Sequence, residues 1–250
     1  MGHTPQQDGK IKPLCNGKFI IADVGMSIGI EKPNKVEESR PSAMIISIGS
    51  ASFEIESIKA LYGTTVPLPI EPIPIYTLPL KLPPKDLPQE ISPNIQRSEI
   101  FVERYKTVVV IPDIGGDFES AISAVYMAYC AIMNPEDSGT MMSRSEFRLM
   151  IVKEINSLNG PETTLETIRE LKERNKQSSE ATIALIQLGD VIDTGPYSTE
   201  CVDLFEVLPL VLPPEWAVLK LYGDHDISAM LEKYHFTSGG IYYNRYQGIS

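Results

Sequence analysis

The chain has 250 residues, and its 33 Asp+Glu against 22 Lys+Arg give a formal charge of −11. That length suffices for one or two domains with a sizeable core, and 42% hydrophobic against 22% charged residues argues for a folded chain. No Lys/Arg-dense face offers phosphate neutralisation, so neither nucleic acid nor an anionic membrane surface is expected as a partner. Cys15, Cys130 and Cys201 show no Cys-x-x-Cys spacing and read as reduced thiols. With no apolar signal region and no long apolar run, the expectation is a soluble, cytoplasmic protein.

Composition divides the chain into residues 1–63, 64–95 and 96–250. In the first segment, Phe19 to Asp23 and Ala43 to Ile48 are short apolar runs bounded by turn residues, and read as buried strands. Ala51 to Ile58 is a third candidate strand, paired with the second through Gly49-Ser50. The middle segment holds nine Pro between Pro67 and Pro93. Proline removes ladder donors and drives its neighbours to extended backbone, so this segment reads as a semi-rigid connector.

The third segment has the rhythm of an α/β domain. Lys106 to Pro112 is a strand, and Asp117 to Met133 carries apolar residues at helical spacing. Ser143-Arg-Ser-Glu146 is a capping box opening a helix through Ile155. A further helix is expected from about Thr163 to Lys176. Strands follow at Ala181–Leu188 and Ala217–Tyr222, each leading into a helix, near Ser198–Leu208 and Ile227–Tyr234.

Each of the three strands in this segment ends in a Gly/Asp cluster. These are Asp113-Ile-Gly-Gly-Asp117, Gly189-Asp190-Val-Ile-Asp193-Thr-Gly195 and Gly223-Asp224-His225-Asp226. In an open parallel sheet, ligands bind beyond the carboxyl ends of the strands. Carboxylates gathered there with one His make an oxygen/nitrogen site suited to a divalent ion that neutralises a phosphate and activates water. The plainer role for an Asp after a strand is to cap the next helix. Three such loops at successive strand ends favour the site.

In order and spacing the loops resemble those of the calcineurin-like metallophosphoesterases, which include the Ser/Thr protein phosphatases. That resemblance implies an α/β fold, a β-sandwich flanked by helices, and two divalent ions (Mn, Fe or Zn) acting on a phosphorylated substrate or protein partner. It makes Asp113 a ligand of the first metal and Asp190 the carboxylate bridging the two. Asp193 becomes the supporting carboxylate, His225 the proton donor to the leaving group, and Asp224 a further metal ligand. Residues 1–63 resemble the other end of the same family. There Gly2-His3-Thr4 resembles a late motif whose His binds the second metal, and Cys15 to Ser27 resembles the strand pair of Shewanella-like phosphatases. The motifs thus stand in non-standard order. Either two partial units are joined by the proline connector, or the domain is circularly permuted.

The pattern also breaks. Gly115 stands where the resemblance implies a metal-binding His, Asp224 where it implies Asn, and Thr194 and Leu221 where it implies phosphate-clamping Arg. Thr and Leu cannot imitate bidentate guanidinium donors. A degenerate, non-catalytic phosphatase domain acting as a scaffold or regulatory module is therefore the alternative to an enzyme. His235 reads as a structural or surface His, and Cys130, Cys201 and the tyrosines Tyr242, Tyr243 and Tyr246 read as packing residues.

Overall fold

The computed structural model describes residues 11–14, 19–22, 41–49, 55–62, 71–72, 104–133, 142–158 and 181–231. The His3 motif, Cys15, the helix expected near 163–176, His235 and the tail tyrosines lie outside them, as does all but two residues of the proline segment.

Eight strands and four helices are described. The strands are β1 (Lys12–Leu14), β2 (Phe19–Ile21), β3 (Ser42–Ile48), β4 (Ile55–Tyr62), β5 (Glu71–Pro72), β6 (Thr107–Ile111), β7 (Ile183–Gln187) and β8 (Trp216–Lys220). The helices are α1 (Phe118–Ile132), α2 (Arg144–Leu158), α3 (Ser198–Val211) and α4 (Asp224–Met230).

Six strands form one mixed sheet in the order β5-β4-β3-β6-β7-β8. β6, β7 and β8 run parallel, with Val109 opposite Leu185 and Leu185 opposite Val218. β3 is antiparallel to both β4 and β6. The first and third segments of the chain therefore share a single sheet. From the proline segment, Glu71–Pro72 adds an edge to β4, a position that a residue without an N–H tolerates. β1 and β2 pair with each other as a separate antiparallel ladder.

Alternation along the strands sends side chains to two cores. Ala43, Ile45, Val109, Ile111 and Leu185 face the helices, among Ile122, Val125, Phe147, Leu204 and Leu208. Met44, Ile48, Val108, Val110 and Ala184 face the other way, where Ile11, just before β1, and Ile20 of β2 pack on them. The class is mixed α/β, as expected. The described strands make one large sheet with a small ladder on its second face, not two large facing sheets.

Local sequence accounts for the helix starts. Asp117 accepts the Ser120 N–H at 3.0 Å and caps α1. The capping box of α2 is formed: Glu146 Oε2 accepts from the Ser143 N–H and hydroxyl, both at 2.7 Å, and Ser143 Oγ accepts the Glu146 N–H at 3.3 Å. Phe147 then fills the space between α1 and α2, stacked on Tyr129 with ring centroids 5.8 Å apart. Among the described residues, no helix is long and apolar enough to cross a membrane.

Candidate metal centre

Because β6, β7 and β8 are parallel, their following loops meet at one end of the sheet. Backbone bonds knit the first two loops together. The N–H groups of Ile114 and Gly115 donate to the Asp190 carbonyl at 3.1 and 2.9 Å, and Gly116 N–H donates to Val191 at 2.8 Å. In return, Gly195 and Tyr197 donate to the carbonyls of Gly115 and Gly116. Such close approach needs glycine. A Cβ on Gly116 would lie 2.7 Å from the Gly195 carbonyl oxygen, and one on Gly195 would lie 2.6 Å from that of Gly116.

The third loop docks onto the second through carboxylates. Asp226 Oδ1 accepts the Val191 N–H at 3.1 Å while its Oδ2 accepts the Gly223 N–H at 3.0 Å. Asp190 Oδ1 accepts the His225 N–H at 3.0 Å, and a Cβ on Gly223 would collide with that same Asp190 carboxylate. His225 Nδ1 lies 2.7 Å from Asp193 Oδ2. Ser198 Oγ in turn accepts the Asp193 N–H at 3.0 Å.

Two of these aspartates hold left-handed backbone, with φ of 50° at Asp190 and 87° at Asp193. A non-glycine residue in a sparsely populated region costs on the order of 1–3 kcal/mol. The hydrogen bonds from His225 and to Ser198 hold the two conformations in place.

This arrangement brings Asp190, Asp224 and His225 together, with one ligand atom from each lying within 4.8 Å of the others. Ligands sharing one ion at about 2.1 Å lie roughly 3–4 Å apart, so small side-chain adjustments close the site. The electrostatics suit a cation. Burial pushes the Asp190 carboxyl above its ordinary range, and the nearby Asp224 and Asp226 carboxylates add to that, against the opposing pull of the His225 N–H and ring. A divalent ion would reverse the penalty by supplying the missing charge. The donor set of two carboxylates and one imidazole fits such an ion.

Of the residues singled out from sequence, Asp190, Asp224 and His225 form the cluster, and Asp193 supports His225. Asp113, half-buried after β6, is not part of it. Gly115 sits at φ 56° with its carbonyl engaged by Gly195, so this position is a turn. The inter-loop clamp Asp226 and the anchor Ser198 were not singled out as site residues. Asp226 was visible in the Gly-Asp-His-Asp run, but its bond to a backbone 35 residues away was not. The buried thiol of Cys201 is pushed far above its ordinary range by desolvation, with Asp117 and Glu200 adding, and that of Cys130 is raised for the same first reason. Neither is an activated nucleophile.

No protein-family model, curated protein or solved structure matches this chain. What the chain's own geometry supports is a small acidic/His cluster of the metal-binding kind at the strand ends of an α/β sheet.

Proposed function

We propose that the chain is a metal-dependent phosphoesterase of the calcineurin-like, protein phosphatase type, acting on phosphomonoesters. The observation that carries this reading is the convergence of Asp190, Asp224 and His225 beyond β7 and β8, with His225 held by Asp193. Asp190, Asp224 and His225 would hold a divalent ion (Mn, Fe or Zn), which when bound polarises a phosphoryl oxygen and activates water. Asp113 and His3 are the further ligands that the motif resemblance proposes. With Asp193 accepting from Nδ1–H the ring is fixed, leaving Nε2 either to coordinate an ion through its lone pair or, only when the ring carries a second proton there, to give that proton to a leaving oxygen. Pairing of β3 with β6 supports reading residues 1–63 and 96–250 as two parts of one unit, with 64–95 as their connector.

A specific observation favours a second reading, a non-catalytic scaffold or regulatory domain that binds a protein partner. Gly115 is committed to a turn and Thr194 offers no guanidinium, so a ligand and a phosphate clamp of the resembled family are both missing. One experiment separates the two. Purified chain is loaded with Mn²⁺, its metal content measured by elemental analysis, and its hydrolysis of p-nitrophenyl phosphate followed. Bound metal with turnover that disappears in Asp190→Asn supports the enzyme. Bound metal without turnover supports the scaffold, and no bound metal overturns the metal centre itself.

A further inference from the structure

At the end of β7, one buried side chain satisfies two backbone groups that the sheet leaves over. The ladder of β7 finishes with Leu221 N–H donating to the Gln187 carbonyl at 2.9 Å and Leu188 N–H donating to that of Ile111 at 3.0 Å. The next residue, Gly189, has left the sheet with φ of 104°. Its N–H donates to Gln187 Oε1 at 2.8 Å, and its carbonyl accepts from Gln187 Nε2 at 2.6 Å. Gln187 is fully buried. A buried amide is costly unless its polar atoms are paired, and here both pair with one residue, Gly189, two positions ahead, bridging the peptide groups on either side of its Cα.

We infer that Gln187 is a positioning residue for Asp190. By holding both polar groups of Gly189, the amide fixes the consecutive left-handed residues Gly189 and Asp190, and so aims the Asp190 carboxylate at the His225 N–H. On its other side Gly189 packs close to the Gly223 backbone, which a Cβ there would meet. The turn is held from the sheet by Gln187 and from α4 by the Asp190–His225 bond. That Gln187 thereby tunes a metal ligand rests on the metal reading of the cluster. That it orients Asp190 does not.

The test uses the full chain and Gln187→Met, which keeps length and volume but neither donates nor accepts strongly. Amide hydrogen exchange followed by NMR is the primary readout. The His225 amide is expected to lose more than tenfold of its protection, while the amides of Val108 to Val110 stay within about twofold of wild type. Unchanged protection at His225 overturns the inference. So does an equal loss across β6, since Gln187 would then be an ordinary core residue. Where Gln187→Met does not fold, Gln187→Glu is read the same way, because it keeps an acceptor for Gly189 N–H and loses the donor to its carbonyl.

Mn²⁺ titration of the same proteins is the second readout. Changes in groups that orient a ligand weaken metal affinity by about 10–100-fold, and a loss in that range is expected. A wild-type chain that takes up no Mn²⁺ sinks the metal reading alone, while the His225 amide still decides the role of Gln187.

Discussion

His225 Nδ1 and Asp193 Oδ2 lie 2.7 Å apart, joining α4 to the loop after β7 across 32 residues of sequence. The Asp193 side chain is 1% exposed and that of His225 19%. An ionised carboxylate only accepts, so this contact puts the proton of the neutral imidazole on Nδ1. The Asp193→Asn variant removes that preference. Imidazole ¹⁵N NMR should show the Nδ1–H tautomer in wild type and a shift toward Nε2–H in the variant. On the phosphoesterase proposal, Mn²⁺-dependent hydrolysis of p-nitrophenyl phosphate should also fall by roughly 10²–10⁴, the range for a positioned acid–base group. An unchanged tautomer would mean that Asp193 does not orient the ring.

Gly223 is the N-cap residue of α4, and its missing side chain makes room for Asp190. In Gly223→Ala the added methyl meets the Asp190 carboxylate. The same methyl also meets the Asp190 backbone nitrogen at 2.5 Å, so relief must part the two loops as well as shift the carboxylate from His225, and overpacking of this kind costs about 1–3 kcal/mol. Urea denaturation should report the lost stability, and Mn²⁺ affinity should drop with it. A destabilised variant that binds Mn²⁺ as tightly as wild type would show that Asp190 is not a ligand.

A control away from the site is provided by the α2 capping box. Ser143→Ala removes both hydroxyl contacts with Glu146 and should lower Tm by about 2–4 °C, as expected for a lost helix cap in a chain of this size. Contacts with Ser143 hold the Glu146 carboxyl below its ordinary 4.5. Their stabilisation is therefore present above pH 4.5 and is lost as pH falls through the depressed value. Thermal scans should show the gap between wild type and variant narrowing in acid, with Mn²⁺ affinity at neutral pH unchanged.

Much of this was legible because local rules and tertiary structure agree. The strands β3, β6, β7 and β8 follow from short apolar runs, α1 from its spacing, and α2 from Ser143 and Glu146. The strand ends supplied Asp190, Asp224 and His225 because Gly-Asp clusters follow successive parallel strands, whose carboxyl ends gather at one edge of the sheet. What could not be read was long-range. Nothing in Ile55–Tyr62 announces that β3 sits between β4 and β6, nor that the first and third segments share a sheet. Asp113 obeys the same local pattern as Asp190 yet is not one of the three clustered residues, a difference that spacing along the chain does not encode. Gln187 looked like one more strand residue, because its partner is the backbone of a turn.

Asp190 carries the sharpest pH prediction. Burial first, then Asp224 and Asp226, raise its pKa above the ordinary 3.8. The folded, metal-free chain therefore holds this proton more tightly than the unfolded chain does. Stability falls as pH rises from about that ordinary value through the raised one, and levels off above it. Asn at this position removes the charge, while its side-chain oxygen still accepts the His225 N–H. Metal-free Asp190→Asn should accordingly melt higher than metal-free wild type at neutral pH, with the two converging in acid. Adding Mn²⁺ should reverse the order, because binding to the native state alone stabilises wild type by mass action and gives the variant little. A wild-type chain whose Tm rises no more with Mn²⁺ than that of Asp190→Asn would remove Asp190 from the metal centre.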